Sequence, residues 1–165
     1  MAEAGRDTLT QLFNRKFLPV VLAKEVQYAR KTGSSFSALM LEVDDFQRLH
    51  AAYGRACSDA LIQQVAQLLG GNIHGGDYLF RLSEAEFCMV LVDTLQGSAM
   101  QLAEKVRVQV AREVFATGQG AHKLTLSVGV AAFDEHPDYQ RILKCSEEAL
   151  RQAKAQGGNR VVLQA

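Results

Sequence analysis

Charged residues interrupt two otherwise apolar or turn-forming stretches of this chain. Glu42 lies near the end of the apolar run Phe36-Ser-Ala-Leu-Met-Leu-Glu-Val43, and Glu84 and Glu86 flank Ala85 in Arg81-Leu-Ser-Glu-Ala-Glu-Phe87. Asp59 and Lys154 fall in helix-type patterns. Carboxylates can hold hard cations, and a lysine can neutralise phosphate. The ordinary alternatives are a polar hairpin residue for Glu86, a solvated turn residue for Glu84, a helix N-cap for Asp59 and a surface lysine for Lys154. Cys57, Cys88 and Cys145 are widely spaced without Cys-x-x-Cys, which argues against a disulfide or zinc framework and fits a reducing cytosol. Cys88 and Cys145 read as small buried hydrophobes. His122 and His136 lack metal-ligand spacing and read as surface or loop residues.

The elements that must position these residues follow from periodicity. Leu18, Val21, Leu22 and Ala29 trace a helix from about Arg15 to Lys31, and Phe36 to Val43 reads as a central strand covered on both faces. A short helix from Asp44 or Asp45 closes at Tyr53-Gly54, and a second runs from Ser58 or Asp59 to Gly70-Gly71. Asp77 to Leu82 and Glu86 to Val92 read as a β-hairpin joined through Ser83-Glu84-Ala85. Leu102 to Val114 suggests a helix, and Leu124 to Ala131 a strand with one bulky and one small face. A last helix begins at Asp138 and ends at Gly157-Gly158, followed by the strand Val161 to Leu163. The 165 residues predict one domain, 1–165 with its core at about 7–163. Composition is that of an ordinary globular protein, with 48% hydrophobic and 22% charged residues. Lys plus Arg equals Asp plus Glu at 18 each, so no global field favours nucleic acid or anionic lipid. No apolar run is long enough to span a bilayer, so membrane insertion is not expected and a cytoplasmic location is. The fold class is α/β (α+β), a central mixed sheet flanked by helices with a β-hairpin.

Six ordered segments resemble the GGDEF family. Asp7-Thr-Leu-Thr-Gln-Leu-Phe-Asn-Arg15 is similar to its Asp-x-Leu-Thr-Gly-Leu-x-Asn-Arg, with Gln11 for glycine. Glu42-Val-Asp-Asp-Phe46 resembles Asp-x-Asp-x-Phe, and Tyr53-Gly-Arg-Ala-Cys-Ser-Asp59 resembles Tyr-Gly-His-x-x-Gly-Asp. Arg81 to Phe87 stands where the family carries Arg-x-Gly-Gly-Asp/Glu-Glu-Phe. Ser127-Val-Gly-Val130 and Ala149-Leu-Arg-Gln-Ala-Lys154 complete the series. The resemblance is closest to output domains of globin-coupled sensor cyclases and implies a palm-like nucleotidyl-cyclase fold. Active members join two GTP molecules into cyclic di-GMP across a dimer with two divalent metals.

Position by position, the resemblance implies lost chemistry. Glu42 replaces the first metal aspartate, beside the Val43 position, and adds a methylene, whereas Ala85 replaces the second acid and supplies no ligand. Losing such a group costs roughly 10²–10⁴ in rate. Ser83 and Glu84 replace the glycines of the turn, and Glu84 adds negative charge near the phosphate position; Glu86 and Phe87 remain. In the base pocket Asp59 persists while His50 replaces asparagine. In the phosphate clamp Lys154 persists while Gly158 replaces arginine, and Gln47 replaces the lysine after Phe46. In the product-inhibition site Asp77 persists while His74 replaces arginine, which removes a bidentate fork. A catalytically silent GGDEF domain is therefore expected in cyclic di-GMP signalling, acting through self-association or another signalling domain. Nucleotide binding should be weak or absent, and no cofactor is expected. Two alternatives stand: an active diguanylate cyclase using Mg²⁺ at a metal set of Glu42, Glu84 and Glu86, and a GTP sensor without turnover. The chain reads as part of a longer regulator.

Overall fold

The computed structural model describes residues 5–164. Strand β1 (Phe13–Asn14) leads through a 3-10 turn at Arg15–Phe17 into helix α1 (Leu18–Thr32). Then follow β2 (Phe36–Val43), α2 (Phe46–Gly70), β3 (Tyr78–Arg81), β4 (Glu86–Val92) and α3 (Gln96–Arg112). The remainder is β5 (Phe115–Thr117), β6 (Gly120–His122), β7 (Leu126–Ala132), α4 (Gln140–Ala155) and β8 (Arg160–Leu163). Six strands form one mixed sheet in the order β1-β3-β4-β2-β7-β8, and β5-β6 form a separate hairpin. The expected α+β class, central sheet and signature hairpin are all present.

β2 lies at the centre because its side chains can be buried on both faces. Alternate residues point to opposite sides of a strand. Leu39, Leu41 and Val43 join a core with Leu61, Val65 and Val106 of α2 and α3. Ala38 and Met40 join a second core with Leu22, Ile142 and Leu150 of α1 and α4. Gly129 of β7 lets α4 lie directly against the sheet, since a Cβ there would sit 2.2 Å from the Leu150 nitrogen.

Several sequence expectations are corrected. The first of the two helices within α2 closes at Gly54 as expected, where φ of 83° and ψ of 176° are non-helical, but the second starts earlier than Ser58 or Asp59. Helical geometry resumes directly after Gly54, so Asp59 lies inside the helix and is not its N-cap. Val114 lies beyond the end of α3 and is exposed rather than part of its apolar face. The strand at 124–131 begins at Leu126, although Leu124 is buried. α4 begins at Gln140 rather than Asp138, whose carboxylate accepts the Gln140 N–H at 2.9 Å. His122 is the largest departure. It is buried in β6, 3.0 Å from Thr117 Oγ1 and 3.6 Å from Cys57 Sγ, with the Tyr53 ring edge-on at 4.8 Å. Cys88 is fully buried, and Cys145 is half-buried.

Candidate functional site

The ends of β2 and β4, the start of α2 and the loop 82–85 enclose a cleft of about 390 Å³ lined by Glu42, Asp45, Phe46, Gln47, Glu84 and Glu86, among others. The antiparallel register sets Glu42 directly opposite Glu86. Two like charges in that relation repel. Each takes a cation from elsewhere in the chain. Lys154 Nζ of α4 lies 2.7 Å from Glu42 Oε2, and Arg15 Nη2 lies 3.4 Å from Glu86 Oε1. Burial, then the neighbouring Glu42, push the Glu86 carboxyl above its ordinary value, and Arg15 and Lys154 offset only part of that.

The loop is held from below. Arg81 Nη2 donates to the Glu84 carbonyl at 2.9 Å, while its Nη1 lies 3.2 Å from both carboxylate oxygens of Asp7. Asp7 also accepts from Thr10 Oγ1 and Thr10 N–H. Burial alone would raise its pKa, but these bonds and Arg81 outweigh burial and hold it below the ordinary value. Gln11, standing where the family has glycine, keeps a positive φ of 63°. Ser83 and Glu84 face solvent, and Gln47 Nε2 donates to Glu84 Oε2 at 3.4 Å. Ala85 turns inward, 8% exposed, within the core that contains Val43, Phe46 and Phe87. Its carbonyl accepts the Val43 N–H at 3.0 Å.

A smaller recess beside the cleft, about 20 Å³, is lined by Phe46, His50, Arg55, Ser58, Asp59, Arg81 and Glu84. This brings together the two base-pocket residues expected from sequence. His50 Nδ1 is tied to Ser58 Oγ at 2.9 Å. That volume accommodates about one water molecule. His74 and Asp77 also adjoin, but both carboxylate oxygens of Asp77 are engaged by backbone. Oδ2 accepts the His74 N–H and Oδ1 the Val92 N–H, each at 3.0 Å. Asp77 therefore ties the loop before β3 to the end of β4.

Sequence reasoning missed Asp44 as an anchor. Its carboxylate accepts from Thr125 Oγ1 at 2.7 Å, Ser127 Oγ at 2.6 Å and the Asn159 N–H at 2.9 Å. It thereby ties the end of β2 to β7 and to the turn before β8. Gly158 packs against it, with φ 76° and an ideal Cβ position 3.0 Å from Asp44 Oδ1. Any side chain at 158, including arginine, is thus disfavoured in this backbone. The local signal was the alternating Thr125 and Ser127 hydroxyls, but their acceptor is some eighty residues distant.

The donor set does not fit a pair of magnesium ions. Such ions need several oxygen ligands in near-octahedral order. Glu42 is engaged by an ammonium, Glu86 by a guanidinium, and residue 85 ends in a methyl group. Among the described residues, no three His, Cys, Asp or Glu side chains converge as a metal-binding group.

Residues 4–160 match the family described as "Diguanylate cyclase, GGDEF domain". The chain belongs to the GGDEF family. It is 37% identical over 162 residues to diguanylate cyclase DosC of Shigella sonnei, a match covering 98% of this chain and 35% of that protein. The chain thus spans about a third of that relative's length. The GGDEF domain of DgcB from Caulobacter crescentus, solved in complex with c-di-GMP, superimposes with a TM-score of 0.95 at 23% identity, over 99% of this chain and 95% of that one. Diguanylate cyclase SiaD of Pseudomonas aeruginosa, solved with its activator SiaC, superimposes with a TM-score of 0.91 at 28% identity, over 96% and 61% respectively. Among the described residues, no helix is long and apolar enough to cross a membrane.

Proposed function

We propose that this chain is a GGDEF domain without cyclase activity, serving cyclic di-GMP signalling as a self-association, protein-interaction or signal-relay module. The observation that carries this reading is Ala85, whose methyl group is packed into the core where the family signature has an acid. Without a carboxylate there, the cleft lacks one of the two side chains that would gather the metal ions. Glu42, Glu84 and Glu86 concentrate negative charge around the place of a triphosphate, and Lys154 is already spent on Glu42. The recess beside His50 and Asp59 is shallow, and His50 Nδ1 is tied to Ser58 Oγ at 2.9 Å. These features support weak or absent binding of GTP. The backbone bonds to Asp77 and the missing arginine at residue 74 support the same for cyclic di-GMP.

A second reading, an active cyclase with an unusual carboxylate set, is favoured by the 37% identity to a named diguanylate cyclase. Incubation with GTP and Mg²⁺ or Mn²⁺, followed by chromatography, separates the two. No cyclic di-GMP is expected, and its appearance at a rate set by enzyme concentration would overturn the proposal. The combined variant Glu42→Asp, Ser83→Gly, Glu84→Gly and Ala85→Asp tests whether the remaining framework can still support synthesis.

A further inference from the structure

The outer surface of α1 is unlike the rest of this charge-balanced chain. Phe17, Val20 and Tyr28 are exposed at 37%, 61% and 53%, half of the six large apolar side chains exposed among the described residues. Their spacing, with Lys24 between the last two, follows the i, i+3, i+4 rule and places them on one stripe. At 1.5 Å per residue the stripe is about 16 Å long. Lys16 and Lys31 border it, Lys24 lies within it with Nζ 3.4 Å from the Tyr78 hydroxyl, and Arg30 lies on its groove side; all four are exposed, and none forms an ion pair with a described residue. The one acid of α1, Glu25, is buried on the inner side. Alongside runs a groove of about 430 Å³ between α1 and the segment before α4, walled by Ala23, Val26, Arg30, Pro137, Tyr139 and one acid, Asp138.

Exposed apolar side chains grouped on one helix face mark an interaction surface more than scattered ones do. A cationic margin selects an anionic partner. A linear stripe beside a concave groove suits a helix laid along α1 better than a flat bilayer. We infer that the outer face of α1 is a docking surface for an acidic amphipathic helix of a partner protein. The partner's apolar stripe covers Val20 and Tyr28, and its carboxylates meet Lys16, Lys24, Arg30 and Lys31. The inference rests on the reading of the domain as an interaction module and supplies that module with a surface. It stands apart from the cleft, so a positive cyclase assay would remove the proposed function and leave the docking surface intact.

The test uses a fluorescein-labelled helical peptide of leucine and glutamate, with its leucines at i, i+3, i+4 and i+7. Its lysine-for-glutamate counterpart and vesicles of phosphatidylglycerol or phosphatidylcholine serve as comparisons. Anisotropy should show saturable binding of the acidic peptide to the native chain, weakened roughly tenfold or more by Lys24→Glu/Lys31→Glu and by Val20→Asp. Leu95→Asp, at an exposed apolar position off this face, should bind as the native chain does. Thermal melts of each variant establish that it is folded. Absence of binding, equal binding of the lysine peptide, equal weakening by Leu95→Asp, or binding to phosphatidylglycerol vesicles in place of the peptide would each overturn the inference.

Discussion

Replacing Glu86 by glutamine should stabilise this protein at neutral pH, although the residue belongs to its family signature. Glu86 sits opposite Glu42 across β2 and β4, with its side chain only 20% exposed. Its folded-state pKa is raised above the ordinary 4.5, first by burial and then by Glu42. For an acid shifted upward, the folded state binds protons more tightly than the unfolded state. Stability is therefore greatest below the ordinary value and is lost as pH rises through the raised one. Glutamine imitates the protonated form and removes that loss. Relief of a directly opposed like-charge pair is worth about 0.2–1 kcal/mol. Against it stands the bond to Arg15, which at 3.4 Å from a 60% exposed side chain is worth about 0.3 kcal/mol. The net gain of about 0.3 kcal/mol corresponds to a rise in Tm of roughly 1 °C for a chain of this size. Paired thermal melts at about pH 7.5 and about pH 4 check it, since the gain should be confined to the higher pH. A lower Tm at neutral pH, or a gain unchanged by acid, would refute the account of the opposed carboxylates.

Three further outcomes are expected. Gly129→Ala should cost at least about 3 kcal/mol, because its Cβ would meet backbone atoms of α4 at 2.2–2.8 Å; urea denaturation would measure the loss. Asp44→Ala leaves two hydroxyls and the Asn159 N–H without their shared acceptor, and should cost about 2–3 kcal/mol in the same assay. Asp7 has a lowered pKa, so its stabilisation is present above the ordinary 3.8 and is lost as pH falls through the lower folded value. Asp7→Asn should therefore melt several degrees lower at neutral pH, and the difference should close in acid below that window.

Much of the fold was legible because local pattern and tertiary burial agree. The apolar run of β2 is covered on both faces, and the hairpin around Ser83-Glu84-Ala85 falls where two short apolar strands flank a turn. The β5-β6 hairpin was not legible. Its strands are three residues each, mostly small or polar, and too short to display a period. His122 was misplaced for the same reason, since its burial depends on Cys57 and Tyr53 of a distant helix. At the cleft, sequence reasoning singled out Glu42, Glu84 and Glu86 but missed Asp44, and the partners of all four required the fold. Nothing near Glu42 announces Lys154, and nothing near Asp44 announces Asn159. Both pairings arise only when β7 and α4 close over the end of β2.

Lys154 and Arg15 stand as internal counter-ions to Glu42 and Glu86, whereas Asp45 and Glu84 have no ion pair among the described residues, so the mouth of the cleft keeps a negative rim. Such a rim should favour cationic over anionic visitors, an effect that fades as salt screens it.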